Sequence, residues 1–319
     1  MDKFSNFSVI GSGSWGTAIA CHLARIHGSV KIYSDSKEIA DEINNKKLNT
    51  KYLGPISLPN NLVATDKLAE IIGSEIIFIV VPSTGFGNVL EQLKEYNIPS
   101  TTIFVIATKG ISSDPVELLS ARFKRNLPNP FAFFSGPNFA KEVALGKFTS
   151  ATISSEDLSL ANNLAKNLST PDFEISATED IITIQIASIV KNMVAIKSGI
   201  LEASDAGENA KAWLITKALQ EILQISRTIG GKQETLLEPA VVGDLILTSY
   251  SQTSRNTKFG FELHKNNYSK DFISSYPILV EGAEAAKLIK SFLLEYNIKL
   301  SDLPIINSVV EAVTMQRSK

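Results

Sequence analysis

The feature that most constrains this chain is a short apolar run followed at once by three closely spaced glycines. Residues 7–10 predict a buried strand, Gly11, Gly13 and Gly16 follow with the spacing G-x-G-x-x-G, and residues 15–26 predict a helix. In such a loop the first glycine permits a tight turn, the second lets a pyrophosphate approach the backbone, and the third lets the helix pack closely. The helix N-terminus favours the phosphate charge. The segment therefore predicts a dinucleotide-binding site, with an ordinary strand-to-helix turn as the alternative.

Apolar runs of strand length alternate with helical patterns in the first half of the chain, and helical patterns fill the second half. Continuous apolar runs such as residues 76–81 are typical of parallel strands covered on both faces. The alternation predicts an α/β fold, a doubly wound Rossmann-type parallel sheet followed by a mainly α-helical second domain. We expect a dinucleotide-binding domain at residues 1–180, a substrate-binding domain at residues 181–319, an irregular segment at 46–65 and a short helix at 66–72. The predicted strands are 7–10, 30–33, 76–81, 102–107, 131–134 and 149–154, and the predicted helices of the second half are 182–201, 209–229, 239–249, 282–296 and 304–315.

The second predicted strand ends beside an acidic residue that bears on the choice of cofactor. Asp35 lies about twenty residues beyond the glycines, where folds of this kind bind the adenine ribose. A carboxylate there accepts hydrogen bonds from the ribose hydroxyls and repels a 2′-phosphate, and the nearest cation is Lys37. The position favours NAD over NADP, although NADP stays possible. The alternative is a helix N-cap for the segment beginning at Lys37, and the two roles can coexist.

Charge and composition exclude several classes of protein. The chain has 31 basic and 33 acidic residues and no basic tract, so nucleic acid and anionic membranes have no electrostatic footprint here. Cys21 is the single cysteine, which excludes a disulfide scaffold. His22, His27 and His264 form no metal-ligand cluster, and no G-x-S-x-G elbow supports hydrolase chemistry.

The location of the protein follows from its N-terminus and its apolar runs. Residues 1–6 lack the architecture of a signal peptide. The strongest apolar run, residues 76–81, is of strand size and far shorter than the about 20 residues that cross a bilayer. We therefore expect a cytoplasmic protein with no integral membrane segment.

Polar residues in the second half of the chain could carry chemistry that the glycine loop does not. Lys191 and Asn192 interrupt an apolar helical pattern, where a lysine is costly unless it pairs, reaches solvent or works in catalysis. In a cleft near other cations such a lysine has a lowered pKa, which suits proton exchange near neutral pH. Asp244 also stands between apolar residues and needs a partner. Residues 251–257 combine hydroxyls, amides and Arg255, a set that suits a phosphate. The alternative for Lys191 is a solvated lysine on the polar face of its helix, and the alternative for residues 251–257 is a merely polar loop.

Eight segments of the chain match the motifs of one protein family in order and spacing. They are residues 11–18, 109–111, 135–140, 190–192, 207–212, 243–245, 254–256 and 280–282. On these motifs the chain resembles the NAD(P)-dependent sn-glycerol-3-phosphate dehydrogenases of bacterial type. The resemblance covers nearly the whole chain and is far more specific than the glycine loop alone.

The resemblance implies an enzyme that reversibly reduces dihydroxyacetone phosphate, a phosphorylated triose, with NAD(P)H. It implies that Lys191 exchanges a proton with the substrate oxygen, that Lys109 contacts substrate and lowers the pKa of Lys191, and that Asp244 orients the lysines or binds a substrate hydroxyl. A homodimer and a role in glycerophospholipid synthesis are implied as well. The implied substrate-binding residues are Lys109, Gly136, Asn138, Lys191, Asn192, Asp244, Ser254, Arg255 and Asn256. The implied cofactor-binding residues are Gly11, Gly13, Ser14, Trp15, Gly16, Asp35, Lys109, Ala140, Arg255, Leu279 and Glu281.

Two departures from the family pattern and two alternative functions accompany this resemblance. Many bacterial members have serine or threonine in place of Asn138, and many carry a basic residue at or just after the position of Asp35, so the acid here supports NAD. One alternative is another two-domain dehydrogenase of β-hydroxyacid or 6-phosphogluconate type, from which residues 254–256 distinguish this chain. The other is a non-catalytic NAD sensor, which leaves Lys191 and Asp244 unexplained.

Overall fold

A large sheet and a small separate hairpin hold the strands of the computed structural model, which describes residues 4–315. The strands are β1 (Phe7–Ile10), β2 (Val30–Tyr33), β3 (Leu62–Thr65), β4 (Ile76–Ile79), β5 (Ile103–Ile106), β6 (Ile111–Ser113), β7 (Val116–Leu118), β8 (Phe131–Ser135), β9 (Thr149–Ser154) and β10 (Phe173–Thr178). The eight-stranded sheet has the order β10-β9-β8-β5-β4-β1-β2-β3, and its one antiparallel pair among these residues is β8 with β9. Strands β6 and β7 form the antiparallel hairpin. The predicted doubly wound, mostly parallel sheet is confirmed.

Helices connect the strands and make up nearly all of the second half. They are α1 (Ser14–Ile26), α2 (Lys37–Lys46), α3 (Thr50–Leu53), α4 (Ser83–Lys94), α5 (Leu119–Asn126), α6 (Ala140–Ala144), α7 (Leu158–Leu168), α8 (Ile181–Ala203), α9 (Glu208–Thr228), α10 (Asp244–Tyr250), α11 (Arg255–Lys265), α12 (Lys270–Ser275), α13 (Glu281–Glu295) and α14 (Pro304–Thr314). Short turns are 3-10 helical at Leu68–Glu70, Glu234–Leu237 and Leu300–Asp302 and π-helical at Pro239–Gly243. The predicted mainly helical second half is confirmed.

The expectations for two connecting segments were wrong, and two edge strands were missed. Residues 46–65 are not irregular, since they contain α3 and β3. Residues 66–72 hold only the single 3-10 turn, because the connection between β3 and β4 is short. Strands β3 and β10 lie at the two edges of the sheet and carry exposed side chains, such as Val63 and Glu174. Half-exposed strands do not form the continuous apolar runs that reveal buried parallel strands.

The chain folds into two compact units. The first comprises the residues up to Thr108 together with Leu119–Ile181, and the second comprises Lys109–Leu118 and the residues from Ile182 onward. The β6–β7 hairpin therefore belongs with the helices, where it packs against α13. The assignment of cofactor binding to the first 180 residues and of substrate binding to the rest stays a prediction. Residues 1–3 and 316–319 lie outside the described residues. The prediction that residues 1–6 lack the architecture of a signal peptide therefore falls partly on residues that the structure does not describe.

Two reactive residue types in the first unit serve packing. Cys21 on α1 is fully buried, and desolvation raises the pKa of its thiol to about 11, so the thiol stays protonated. The neighbouring His22 has its Nε2 2.7 Å from the carbonyl oxygen of Leu168, and burial lowers its pKa to about 4. Neither side chain has the properties of a catalytic nucleophile or base at neutral pH.

The second unit is built around α8, a helix of 23 residues. By length and composition it could cross a membrane, with a mean hydropathy of 1.3, so the expectation that no apolar run reaches this length was wrong. In the structure 89% of this apolar window is buried inside the protein, as in the core helix of a globular unit. Thr183, Gln185 and Ser188 are buried on this helix and break its apolar run in the sequence.

Candidate active site

Two positions of the glycine loop have no room for a Cβ atom, so only glycine fits there. Gly11 follows β1 with φ +111°, and a Cβ there would lie 2.3 Å from the carbonyl oxygen of Val80. A Cβ on Gly16 would lie 1.9 Å from the carbonyl oxygen of Gly11. A Cβ on Gly13 would meet nothing within 4 Å, and α1 begins after Gly13 without a side-chain cap. The open space beside Gly13 and the uncapped N–H groups of α1 fit the pyrophosphate of a dinucleotide.

Asp35 lies just beyond the carboxyl end of β2, and its side chain is exposed. The cap of α2 is Ser36, whose hydroxyl accepts a hydrogen bond from the Ile39 amide at 3.4 Å. The alternative interpretation of Asp35 as the N-cap is therefore wrong. The carboxylate of Asp35 is left available to a ligand.

The loop after β8 contains two of the predicted substrate residues. A Cβ on Gly136 would lie 2.5 Å from the carbonyl oxygen of Ser150, so glycine lets β8 and β9 approach here. Asn138 donates through Nδ2 to Thr149 Oγ1 at 2.7 Å and to the Ser150 carbonyl at 2.8 Å, while its Oδ1 is buried without a hydrogen-bond partner. This amide has used both of its donors and can only accept a further hydrogen bond, which suits a hydroxyl better than a phosphate. Ala140 begins α6.

Two lysines share one aspartate in the second unit. The Nζ of Lys191 lies 2.8 Å from Oδ1 of Asp244, and the Nζ of Lys109 lies 3.0 Å from Oδ2. Lys191 also donates to Oγ1 of Thr248 at 3.1 Å, and this hydroxyl donates to Asp244 Oδ1 at 3.0 Å. The side chains of Lys191, Asp244 and Lys109 are 7%, 3% and 15% exposed. One carboxylate thus holds two ammonium groups in a nearly dry environment.

Different elements deliver the members of this lysine–aspartate cluster. Lys191 lies in the middle of α8, Asp244 begins α10 directly after the π-helical turn, and Lys109 precedes the β6–β7 hairpin. Thr248 lies four residues after Asp244, on the same face of α10. The three charged members were predicted from the sequence and Thr248 was not, although its helical spacing from Asp244 was a usable signal.

Burial and charge shift the pKa values of the cluster in opposite directions. Desolvation is the largest effect on Lys191 and lowers its pKa to about 8, although Asp244 raises it. Lys109 lowers the pKa of Lys191 in the expected direction but is a smaller cause than burial. Burial alone would raise the pKa of Asp244, but Lys109 and Lys191 hold it below its usual value. Asp244 is therefore ionised at neutral pH, while Lys191 can gain or lose its proton.

A chain of amide hydrogen bonds joins three helices beside the cluster. Asn192 donates to Oε2 of Glu281 at 3.1 Å, Asn256 donates to Oδ1 of Asn192 at 3.0 Å, and the Gly282 amide donates to Oδ1 of Asn256 at 2.9 Å. A carboxylate only accepts hydrogen bonds, so Glu281 fixes the orientation of both amides. The chain ties α8 and α11 to the first turn of α13.

The predicted phosphate-binding segment lies at the N-terminus of α11. Ser254 caps this helix, because its hydroxyl accepts a hydrogen bond from the Thr257 amide at 3.3 Å. Arg255 follows with a side chain that is 57% exposed, and its Nη2 lies 3.8 Å from Oε1 of Glu281. An exposed guanidinium with a loose partner, at a helix N-terminus, is suited to bind an anion. Leu279, a predicted cofactor residue, is exposed just before α13.

The structure thus brings the predicted residues into two groups, one in each unit. In the first unit they follow β1, β2 and β8 at the ends of these strands. In the second unit Lys191 belongs to the ion cluster and the next residue, Asn192, to the amide chain, so the two networks adjoin on α8. Within residues 4–315, no group of three or more His, Cys, Asp or Glu side chains could hold a metal ion.

Comparisons with known proteins point to one family over the full length of the chain. The N-terminal model of NAD-dependent glycerol-3-phosphate dehydrogenase matches residues 6–161, and the C-terminal model matches residues 180–318. A glycerol-3-phosphate dehydrogenase (NAD(P)+) of Rickettsia bellii is 47% identical over 97% of this chain and 98% of the relative. The crystal structure of glycerol-3-phosphate dehydrogenase from Coxiella burnetii is similar with a TM-score of 0.88 and 30% identity, covering 98% of this chain and 100% of that one. The yeast enzyme, from Saccharomyces cerevisiae, gives a TM-score of 0.85 at 26% identity, covering 99% and 97%.

Proposed function

Since the chain belongs to the NAD-dependent glycerol-3-phosphate dehydrogenase family, we propose that it reversibly reduces dihydroxyacetone phosphate to sn-glycerol 3-phosphate with NAD(P)H. The observation that carries the proposal is the buried Lys191, whose Nζ lies 2.8 Å from Asp244 and whose pKa is lowered to about 8. Membership of this family argues against a dehydrogenase of β-hydroxyacid or 6-phosphogluconate type and against a non-catalytic NAD sensor.

Lys191 is the proton donor in reduction and the proton acceptor in oxidation. A bound nicotinamide would supply the hydride that C2 of the substrate receives. An ammonium has three N–H donors, and Asp244 and Thr248 take two of those on Lys191, which leaves the third for the substrate oxygen. With a pKa of about 8, Lys191 both gives and takes a proton near neutral pH. Lys109 adds a second positive charge that stabilises the developing alkoxide.

Arg255 binds the substrate phosphate in this proposal. Replacing Arg255 with alanine is expected to raise KM for dihydroxyacetone phosphate by about ten- to a hundredfold, because one charged hydrogen bond contributes about 1.5–3 kcal/mol. Cofactor affinity should change much less. The measurement is steady-state kinetics at saturating NADH, together with a titration of NADH binding.

Lys258 offers a matched control for Arg255 on the same helix. Its side chain is 66% exposed and pairs loosely with Glu262, so a Lys258→Ala variant removes a nearby cation without touching the proposed phosphate site. KM in this variant should stay within about twofold of the wild-type value. An equal rise of KM in both variants, or equal turnover of unphosphorylated dihydroxyacetone by the wild type, would argue against the phosphate site.

Asp35 makes NAD the preferred cofactor in this proposal, with NADP possible. Replacing Asp35 with serine is expected to raise the ratio of kcat/KM with NADPH to that with NADH by about tenfold, because the repulsion of the 2′-phosphate is lost. Glu38, an exposed acid on α2, gives the control variant Glu38→Gln, which should leave the ratio unchanged. If the ratio in Asp35→Ser stays at the wild-type value, Asp35 does not select the cofactor.

We further propose that the enzyme works as a homodimer in the cytoplasm and supplies glycerol 3-phosphate for glycerophospholipid synthesis. These proposals rest on the resemblance of its motifs to the family. The direct test of the activity is a spectrophotometric assay of dihydroxyacetone phosphate with NADH and NADPH side by side. Failure to oxidise either cofactor would count against the proposed reaction.

A further inference from the structure

Asn49 is a fully buried amide whose hydrogen bonds go to the glycine loop and to the first helix. Its Nδ2 donates to the Ser12 carbonyl at 2.9 Å and to Oγ1 of Thr17 at 2.9 Å. The Thr17 hydroxyl donates in turn to the same Ser12 carbonyl at 3.1 Å. Both partners of Asn49 accept from it, which fixes Nδ2 towards the loop, and its buried Oδ1 has no hydrogen-bond partner. Both hydrogen bonds of the Asn49 side chain therefore act on the Ser12 carbonyl, one directly and one through the Thr17 hydroxyl.

The carbonyl that Asn49 holds belongs to the peptide between Ser12 and Gly13. In a trans peptide the N–H points opposite to the C=O, so holding the Ser12 oxygen also fixes the direction of the Gly13 N–H. That N–H points away from Asn49. A Cβ on Gly13 would meet nothing within 4 Å, so space for a ligand is open beside this residue.

Ser12 is held through its carbonyl, which accepts from Asn49, and also through its hydroxyl, which contacts the turn proposed to bind the ribose. The Ser12 hydroxyl donates to Oγ of Ser34 at 2.7 Å, and Ser34 accepts from the amide of Ser36 at 3.2 Å. These two residues flank Asp35. The glycine loop and the turn that presents Asp35 are thus joined through Ser12, whose position depends on Asn49.

Asn49 has its own support in the segment between α2 and α3. Its backbone carbonyl accepts from the Leu53 amide at 2.9 Å in the first turn of α3. The next residue, Thr50, donates its amide and its hydroxyl to the two oxygens of Glu42 at 3.1 and 2.6 Å. Hydrogen bonds therefore connect α2 to the start of α3 and, through Asn49, to the glycine loop.

We propose that Asn49 is a positioning residue for cofactor binding, which orients the Ser12–Gly13 peptide so that the Gly13 N–H faces the pyrophosphate. The inference rests on the proposed use of a nicotinamide dinucleotide and deepens it. Preorganisation of this kind acts on affinity, because the loop is set before the ligand arrives. The proton chemistry of Lys191 does not depend on it once the cofactor is bound.

The test compares two buried or half-buried asparagines of the first unit. Asn49→Ala is expected to raise the Kd for NADH, measured by fluorescence titration, by about tenfold, or about 1.4 kcal/mol, while kcat at saturating NADH stays within about twofold. Asn61 is the matched control, since its Nδ2 donates to the carbonyls of Ala24, His27 and Gly28 and makes no contact with the glycine loop. Asn61→Ala should leave Kd within about twofold.

A second pair of variants keeps the test decisive if Asn49→Ala does not fold. Thr17→Val is close in shape and removes the hydroxyl that accepts from Asn49 and donates to the Ser12 carbonyl, whereas Thr17→Ser keeps it. NADH binding should weaken in the first variant and recover in the second. The inference about Asn49 would be overturned by an unchanged Kd for NADH in folded Asn49→Ala, by an equal rise of Kd in Asn61→Ala, or by equal Kd values in the two Thr17 variants. None of these results would contradict the proposed function. Failure of the wild type to bind NADH would overturn the inference and the proposed function together.

Discussion

Replacing Lys191 with methionine is expected to lower the turnover of dihydroxyacetone phosphate about a thousandfold, while NADH affinity stays within about twofold. Methionine fills most of the lysine volume, and Asp244 keeps Lys109 as a partner at 3.0 Å, so the buried carboxylate is not left unpaired. The loss comes from the proton donor, since general acid catalysis contributes about 10²–10⁴-fold. Steady-state kinetics at saturating NADH, with a separate titration of NADH binding, measures both quantities.

The pH dependence gives this prediction a second signature. In the wild type, kcat/KM for reduction should fall as the pH rises through about 8, because Lys191 then loses its proton, and kcat/KM for oxidation should rise. Lys191→Met should abolish both changes. Lys197→Met is the matched control, since Lys197 lies on the same helix and burial lowers its pKa as well. Near-normal turnover in Lys191→Met, or an equal loss in Lys197→Met, would remove Lys191 from the mechanism.

Replacing Asp244 with asparagine is expected to lower the free energy of unfolding by about 3–5 kcal/mol and to reduce turnover severely. The substitution leaves Lys191 and Lys109 close together, with side chains that are 7% and 15% exposed and no carboxylate between them. A buried charge without its partner bears the full cost of desolvation. Urea unfolding followed by circular dichroism measures the loss, with Asp271→Asn, an exposed acid on α12, as the matched control.

The sign of the pH effect identifies the origin of this destabilisation. The Asp244 carboxylate raises the pKa of Lys191, so its removal lowers that pKa below about 8. The folded variant then binds fewer protons than the unfolded chain over a wider range below the ordinary lysine pKa of 10.5, and its free energy of unfolding should rise with pH across that range. Adding Lys191→Met to Asp244→Asn should restore part of the lost stability. A double variant less stable than Asp244→Asn would contradict the electrostatic origin.

The residues that could be predicted from the sequence are those whose type is energetically unfavourable or unusual in its sequence context. Lys191 and Asp244 could be found because a charge among apolar residues needs a partner. Gly11 and Gly16 could be found because few other residues allow a strand to turn directly into a helix. The pairing of Lys191 with Asp244 could not be predicted from spacing, since 53 residues separate them and only the packing of α8 against α10 brings them together.

Neutral side chains and edge strands escaped prediction for a related reason. Hydroxyls and amides are as common on surfaces as in polar networks, so nothing in the sequence marked Thr248 or Asn49 as buried partners. Asn49 also stood in a segment that was expected to be irregular. Strands β3 and β10 are half exposed, and their patterns lack the apolar runs of the central strands. Buried contacts of neutral side chains and half-exposed edge strands therefore could not be predicted, because both depend on tertiary packing.

Lys109 and the β6–β7 hairpin belong to the second unit, although the residues on either side of them in the sequence belong to the first. Lys109 provides one of the two cations that contact Asp244. Recombination between two homologous genes at a crossover near residue 181 would combine this lysine from one parent with the aspartate from the other. A chimera that takes both Lys109 and Asp244 from the same parent must carry Lys109–Leu118 together with the C-terminal half. The helical unit is therefore not encoded by one contiguous stretch of the gene.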